Sequence, residues 1–405
     1  MQVYLLRRGI YPAVIFNPTI HNHNLKGSEM QRALLFAVGL FLVGATAYAQ
    51  DTQPKGTFSG YMFGDYFYNI ARDSSFAGAK PPSKTAVSGP KDMQGFQFRR
   101  IYFTYDDDIS SQFTSRFRVE ADQSVLVNNK IETYVKDAYL KWKNVFEGTD
   151  IIFGIQPTTA FDISETWWAY RSIEKTIMDL RGIIPSRDFG LALRGKLTGD
   201  GMFNYWAMLA NGDGNSPVGS KFRRYSLNLQ VKTDQFQATL NGDYRAQASI
   251  NDPTSTSTPE ATVSNDIFTG SVFLGYKEAG SYSFGAEAFW QTMFHAITDS
   301  SATTTPRPLT GRNAIGFSVF GSVNLQSDLL IVGRYDYFDP NSNSYFKGDM
   351  RNYIIGGLDW KANKNVSIMP NVQIETYESV PLSGGKTLSI DSSVTGRVTV
   401  YYIFI

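Results

Sequence analysis

Apolar and polar residues alternate along most of the chain with a period of two, the pattern of a β-strand with one apolar and one polar face. In the segment 187–197, Phe189 and Leu191 fall on one face, whereas Asp188 and Arg194 fall on the other. This pattern fits either a half-buried sheet of a soluble protein or a barrel with lipid outside and water inside.

Breaks in the alternation divide the chain into sixteen predicted strands. Many of them are ten residues or longer, which exceeds the common length of about 5–6 residues and matches a tilted membrane span of about 9–11 residues. The predicted strands span residues 56–70, 95–108, 111–122, 132–146, 149–156, 185–197, 201–211, 222–232, 235–248, 266–276, 280–294, 311–325, 327–338, 350–361, 364–377 and 388–405.

The predicted connections alternate in length, which decides between the two architectures. Short turns alternate with longer connections, and a soluble sandwich has no reason to sort its loops in this way. We therefore predict an all-β fold, a transmembrane antiparallel β-barrel of about sixteen strands with short periplasmic turns and longer external loops. The longer connections are 71–94, 123–131, 157–184, 212–221, 249–265, 295–310, 339–349 and 378–387.

The first part of the chain has the features of an export signal. Arg32 supplies a positive charge, residues 33–44 form an apolar run, and residues 47–49 (Ala-Tyr-Ala) match the small-x-small cleavage pattern. The run is too short for a membrane anchor. We predict a signal peptide at 30–49 cleaved after Ala49, a barrel at 50–405, and a mis-assigned translation start for residues 1–29.

Composition agrees with a barrel that is exported to the outer membrane. The mean hydropathy is −0.23 despite 29 Phe and 23 Tyr, because only alternate residues of a barrel strand face lipid. The chain has no cysteine, which excludes a disulfide framework and a thiol nucleophile. Without residues 1–49, which hold four basic residues and one acidic residue, 34 basic and 36 acidic residues remain. There is no basic surplus that would indicate nucleic acid as a partner.

The third long connection, residues 157–184, interrupts the alternation and begins with a helical pattern in which Ser164 is the expected N-cap. It is rich in aromatic residues, so we expect Trp167, Trp168 and Tyr170 to pack against the wall inside the lumen. A helical lid outside the barrel is the alternative. The inward arrangement would present charged side chains at the pore, namely Glu165, Arg171, Glu174, Lys175, Asp179 and Arg181.

The polar faces of the predicted strands carry more basic than acidic side chains. A basic wall attracts anions, but cross-strand pairing with acids would give the same residues a purely structural role. The acidic positions are Glu120, Asp137, Asp188, Asp243, Asp336 and Asp359. The basic positions are Arg100, Arg116, Arg118, Lys141, Arg194, Lys196, Arg224, Arg245, Arg334, Arg351 and Arg397.

Four short blocks, at residues 153–157, 184–191, 333–341 and 353–360, resemble the phosphate-selective porin O/P family. The likeness is scattered over most of the chain after residue 50. It implies a sixteen-stranded barrel, usually trimeric, with the third loop folded inward. The inward basic residues are mainly arginines mixed with acids, which departs from a lysine-rich phosphate ladder.

These features predict an outer-membrane porin for small hydrophilic solutes or ions, with a possible preference for anions and with lipid and a homotrimer as partners. An outer-membrane enzyme is one alternative, but His295 is the only histidine after the cleavage site, and a serine nucleophile needs a nearby base. A transporter with a plug would need an N-terminal plug domain, whereas the predicted strands begin at residue 56, soon after the predicted cleavage site. A soluble all-β surface binding protein is a further alternative. We predict no catalytic residue, no metal and no cofactor.

Overall fold

The computed structural model describes residues 56–74, 89–128 and 130–405, so the predicted signal peptide and the segment before it lie outside the described residues. Sixteen antiparallel strands form one closed barrel, in which the last strand pairs with the first. The barrel strands are β1 (Thr57–Ala71), β2 (Gln94–Asp107), β3 (Phe113–Val127), β4 (Lys130–Phe146), β5 (Thr149–Pro157), β6 (Arg187–Lys196), β7 (Phe203–Ala210), β8 (Arg224–Lys232), β9 (Phe236–Arg245), β12 (Ile267–Glu278), β13 (Tyr282–Thr298), β14 (Leu309–Gln326), β15 (Leu329–Asp339), β16 (Arg351–Asn363), β17 (Val366–Tyr377) and β20 (Ser393–Ile403).

Four further strands form two small hairpins in the long loops. Strand β10 (Ile250–Asn251) pairs with β11 (Thr262–Val263), and β18 (Val380–Pro381) pairs with β19 (Thr387–Leu388). The connection from β5 to β6 contains the helices α1 (Asp162–Trp168) and α2 (Ile177–Arg181). Among the described residues, no helix has the length and apolar character needed to cross a membrane.

Burial in this barrel is the reverse of that in a soluble protein, because the apolar face is exposed and the polar face is buried. Phe103 is 41% exposed, whereas its neighbour Thr104 is 1% exposed. Likewise Leu240 is 58% exposed and Asn241 is 2% exposed. Large apolar residues on a soluble surface are uncommon as a continuous band, whereas a lipid-facing barrel requires one. The inversion therefore favours a membrane barrel over a soluble sheet.

The sixteen predicted strands are confirmed, but two connections differ from the prediction. The predicted loop 123–131 is mostly strand, because Leu126 pairs with Ile131 beyond a register shift and extends the hairpin of β3 and β4. The last barrel strand begins at Ser393 instead of residue 388. Leu388 instead pairs with Val380 in a separate hairpin, which removes it from the barrel wall.

Candidate functional site

The connection between β5 and β6, residues 158–186, contains the helices α1 and α2 and many buried residues. The predicted helix is present as α1, but Ser164 is not its N-cap. Phe161 occupies that position, and the Ser164 hydroxyl donates to the Phe161 carbonyl at 3.1 Å from within the helix. Helix α2 ends at Gly182, which adopts the left-handed backbone conformation that glycine accepts without strain.

One side of this segment packs against apolar residues on the inner face of β12–β17. The indole of Trp168 lies 5.4 Å from the ring of Phe320 and donates from Nε1 to the carbonyl of Glu174 at 2.7 Å. Tyr170 donates to Asp359 at 3.3 Å. The buried cluster around them contains Ile173, Leu180, Phe273, Val332, Tyr353, Ile355 and Met369.

Trp167 reaches the wall at a second place. Its Nε1 donates to Gln237 at 2.7 Å, and Lys277 lies 5.2 Å from its ring. A Cβ at Gly275 would approach the Trp167 indole to 2.7 Å, so the absence of a side chain there permits this contact. Trp167, Trp168 and Tyr170 each contact residues of the barrel strands, whereas the folding of this loop into the lumen stays a prediction.

A buried ionic network joins the segment to β1, β2 and β20. Glu174 lies 3.7 Å from Arg99 and 4.0 Å from Arg397, and Asp65 lies 3.1 Å and 3.9 Å from the same two arginines. Burial alone would raise the pKa of Glu174, but the nearby guanidinium groups of Arg99 and Arg397 outweigh it and hold that pKa below its usual range. The network favours the ionised carboxylate and anchors the segment.

The other charged residues of the segment gather around Arg171. Its guanidinium pairs with Glu165 and with Asp179, the latter at 2.6 Å, and its Nε donates to the hydroxyl of Tyr102 on β2 at 3.4 Å. Lys175 lies 3.8 Å from Asp179. The structure therefore brings four of the six predicted loop residues together in this cluster, while Glu174 belongs to the network with Arg99 and Arg181 pairs with Glu375.

Two β-bulges bring basic residues to the inner wall that strict alternation did not predict. At the register shift in β2, Phe63 pairs with Arg100 and Gly64 with Phe98, so Arg99 is the extra residue and both arginines are buried. At the shift in β4, Lys136 is the extra residue and is buried beside Asp137. Adjacent charged residues in an alternating strand are a signal for such a bulge. Without it one charge would face lipid, at a cost of about 2–4 kcal/mol for Arg or Lys at the midplane.

The basic residues of the wall near the Arg171 cluster are paired with acids. Arg100 lies 3.1 Å from Glu120 and 2.5 Å from Asp122, and Lys136 lies 3.0 Å from Glu120. Asp137 pairs with Arg118 at 3.6 Å and also with Arg187. Cross-strand pairing therefore occupies most of the charge in this part of the wall.

The other predicted basic residues form separate ion pairs or no ion pair with a described residue. Arg224 lies 3.7 Å from Asp188 and 3.6 Å from Asp243. Arg334 pairs with Asp336 at 2.5 Å and donates to the backbone carbonyl of Lys175 in the segment 158–186. Arg351 has no ion pair with a described residue, although the buried pair of Arg181 and Glu375 lies near it.

The basic residues nearest to the short turns form fewer ion pairs than those at the centre of the barrel. Arg116 pairs with Asp106 at 2.6 Å, and Lys141 lies 3.9 Å from Asp150. Arg194 and Lys196, both exposed on β6, have no carboxylate within 4 Å among the described residues. The guanidinium of Arg194 instead lies 4.6 Å from the centre of the Trp206 ring.

The described residues contain a single histidine, His295. Its Nδ1 lies 2.7 Å from the backbone carbonyl of Ser264, not from a hydroxyl. In the part of the chain that the structure describes, His295 therefore has no contact with a serine nucleophile.

Comparison with known proteins identifies the fold. No family model matches the chain, and no curated protein matches it. The outer membrane channel DcaP of Acinetobacter baumannii is similar with a TM-score of 0.59 and 10% identity, covering 89% of this chain and 100% of that one. An anion-selective porin from Comamonas acidovorans gives a TM-score of 0.57 and 11% identity, with 87% and 100% covered.

The trimer form of OmpT, an outer membrane protein of Vibrio cholerae, gives a TM-score of 0.53 and 10% identity, with 87% of this chain and 100% of that chain covered. Identities this low establish the architecture alone. The protein therefore has the barrel fold of bacterial outer-membrane porins, while the resemblance to the phosphate-selective O/P family stays a prediction.

Proposed function

We propose that this protein is an outer-membrane porin through which small hydrophilic solutes or ions diffuse passively. The observation that carries the proposal is the inverted barrel, with a continuous apolar outer face and a polar inner face. Such a barrel offers lipid the surface that it requires and offers water a path through the membrane. The similarity to outer-membrane channels and porins supports this function over an enzyme or a surface binding protein.

The segment 158–186 would form the constriction of this pore. Its contacts with Asn241 on β9, with Phe320 on β14 and with Arg99 on β2 support a path through the space that the strands enclose. Because its apolar side packs on β12–β17, the open path would run along β2–β8. The Arg171 cluster would then face the paired charges of Arg100, Arg118 and Lys136.

A preference for anions is the finer part of the proposal. Ion pairs neutralise most basic residues of the central wall, so the preference would depend on Arg194, Lys196 and Arg351, which have no ion pair with a described residue. The similar fold of an anion-selective porin is consistent with it. Export with cleavage after Ala49, an outer-membrane location and a homotrimer belong to the same proposal, and the trimer form of OmpT supports the last of these.

Planar-bilayer recording tests the proposal. Purified protein should insert in discrete conductance steps in KCl, and a KCl gradient should give a reversal potential of the sign expected for anions. The same protein should require detergent for extraction and migrate differently on gels before and after heating. Absence of conductance steps, or release from membranes by salt alone, would contradict the porin function. A cation-selective reversal potential would contradict only the anion preference.

A further inference from the structure

We propose that the inner wall around Arg194 is a binding site for organic anions with a planar body, such as aromatic carboxylates. This inference rests on the proposed porin function and assigns a solute class to one part of the pore. The site lies near the short turns, on β4–β7, and is separate from the Arg171 cluster.

The guanidinium of Arg194 has no carboxylate partner among the described residues. Asp150 is its direct register partner on β5, but the Asp150 carboxylate accepts the backbone N–H of Asn144 at 3.0 Å and lies 3.9 Å from Lys141. Asp150 is therefore engaged on the β4 side. An unpaired guanidinium on a water-exposed wall presents donors that suit a carboxylate in a fixed planar geometry.

The surroundings of Arg194 add further donors. Lys196 lies two residues along the same strand and is also exposed, so its side chain shares the inner face about 6–7 Å away. Beneath Arg194, Trp206 is buried, and its Nε1 N–H has no acceptor among the described residues. Lys196 thus adds a second positive charge that would attract an anion to this part of the wall.

The Trp206 ring against which Arg194 rests explains why a planar organic anion fits better than inorganic phosphate. One side of the Arg194 guanidinium rests on the Trp206 ring, and because the side chain is nevertheless exposed, its other side is open. A guanidinium stacks well on flat aromatic groups, so an aromatic carboxylate gains stacking as well as charge pairing. The apolar wall beside it consists of Tyr139, Ile152, Ala192, Met208 and Ala210.

Single-channel recording in KCl with added anions tests the inference. Benzoate should block the wild-type current at a concentration about fivefold lower than cyclohexanecarboxylate, which has the same charge without a planar ring, and lower than inorganic phosphate. Equal block by all three anions would show attraction by charge alone and overturn the inference.

Variants locate the site. Arg194→Gln should weaken the benzoate block about tenfold, the loss expected from removing one hydrogen bond to a charged group. Arg194→Lys should keep a phosphate block but lose the preference for benzoate over cyclohexanecarboxylate. Arg223→Gln, which removes an arginine that has no ion pair with a described residue from the opposite end of the barrel, should leave the benzoate block unchanged.

The outcomes separate the two proposals. Absence of wild-type conductance in KCl would defeat the porin function itself. Normal conductance with no benzoate block, or with a block that Arg194→Gln leaves intact, would defeat only the site. An equal preference for benzoate in Arg194→Lys would overturn the role of guanidinium stacking.

Discussion

At the scale of residues, adjacent charged residues within a strand explain why the inner wall carries more charge than strict alternation predicts. Strict alternation assigns Arg100 and Asp137 to the inner face and gives their neighbours Arg99 and Lys136 to lipid. A single extra residue in each strand turns both members of a pair inward. The avoided cost of a charge in lipid is the physical reason for the bulge.

Glu174 gives a prediction about pH at this scale. Its folded-state pKa lies below the usual range because Arg99 and Arg397 favour the carboxylate, so the attraction is present above the ordinary glutamate pKa of about 4.3. It is lost as the pH falls through the lowered value. We expect the open-channel current of the wild type to become noisier below about pH 4, because the segment 158–186 loses an anchor.

Glu174→Gln isolates that effect. The variant should show the noisy current at neutral pH and little further change on acidification. Glu165→Gln serves as the matched control, since Arg171 keeps Asp179 as a second partner. Identical pH profiles for the wild type and Glu174→Gln would refute the assignment.

At the scale of elements, the strands were predictable and their ends less so. Alternation and loop length locate all sixteen barrel strands because both follow directly from a wall between lipid and water. The extended hairpin of β3 and β4 was missed because pairing of Leu126 with Ile131 lies beyond a register shift. The hairpin of Val380–Pro381 with Thr387–Leu388 was missed because two-residue strands carry no readable period.

The loop segment was predictable in its packing and not in its ionic anchors. Aromatic content predicted the contacts of Trp167, Trp168 and Tyr170, whereas the partners of Glu174 on β2 and β20 depend on a bulge and on barrel closure. The adjacent charges Arg99 and Arg100 signal the bulge, but the local sequence does not show that closure brings β20 beside β1. The same limit applies to Arg194, which looks like any other wall arginine until Trp206 and the engaged Asp150 are seen beside it.

Trp168→Ala tests the packing of this segment. The side chain is 1% exposed, and truncating a buried tryptophan removes about 3–5 kcal/mol of packing and transfer free energy. We expect the folded barrel, which migrates differently on gels from the heated protein, to be lost at a lower temperature. We also expect larger current fluctuations in bilayers. Trp360→Ala, which truncates the same side chain on the exposed outer face of β16, should not increase the fluctuations. Equal behaviour of the two variants would mean that the segment is not held by its apolar side.

At the scale of the whole molecule, the exposed apolar band and the buried polar face are two parts of one requirement. A closed barrel leaves no unpaired strand edge in the hydrocarbon region, which is why β1 must pair with β20. The polar face is then enclosed, and its charges need partners or water. Most of them find partners in the wall or in the segment 158–186, and the few that do not are the positions at which solute chemistry is expected.

The orientation of the wall toward lipid yields a prediction for the whole barrel. Leu240 is 58% exposed on the outer face of β9, so Leu240→Arg should destabilise the folded barrel in phospholipid vesicles by about 2–4 kcal/mol, the cost of arginine at the bilayer midplane. Gln230→Arg places the same charge on the inner face of the neighbouring β8 and should cost far less, because water hydrates a guanidinium in the lumen. Denaturant-dependent folding into vesicles measures both. A Leu240→Arg barrel as stable as Gln230→Arg would mean that the exposed apolar face does not meet lipid.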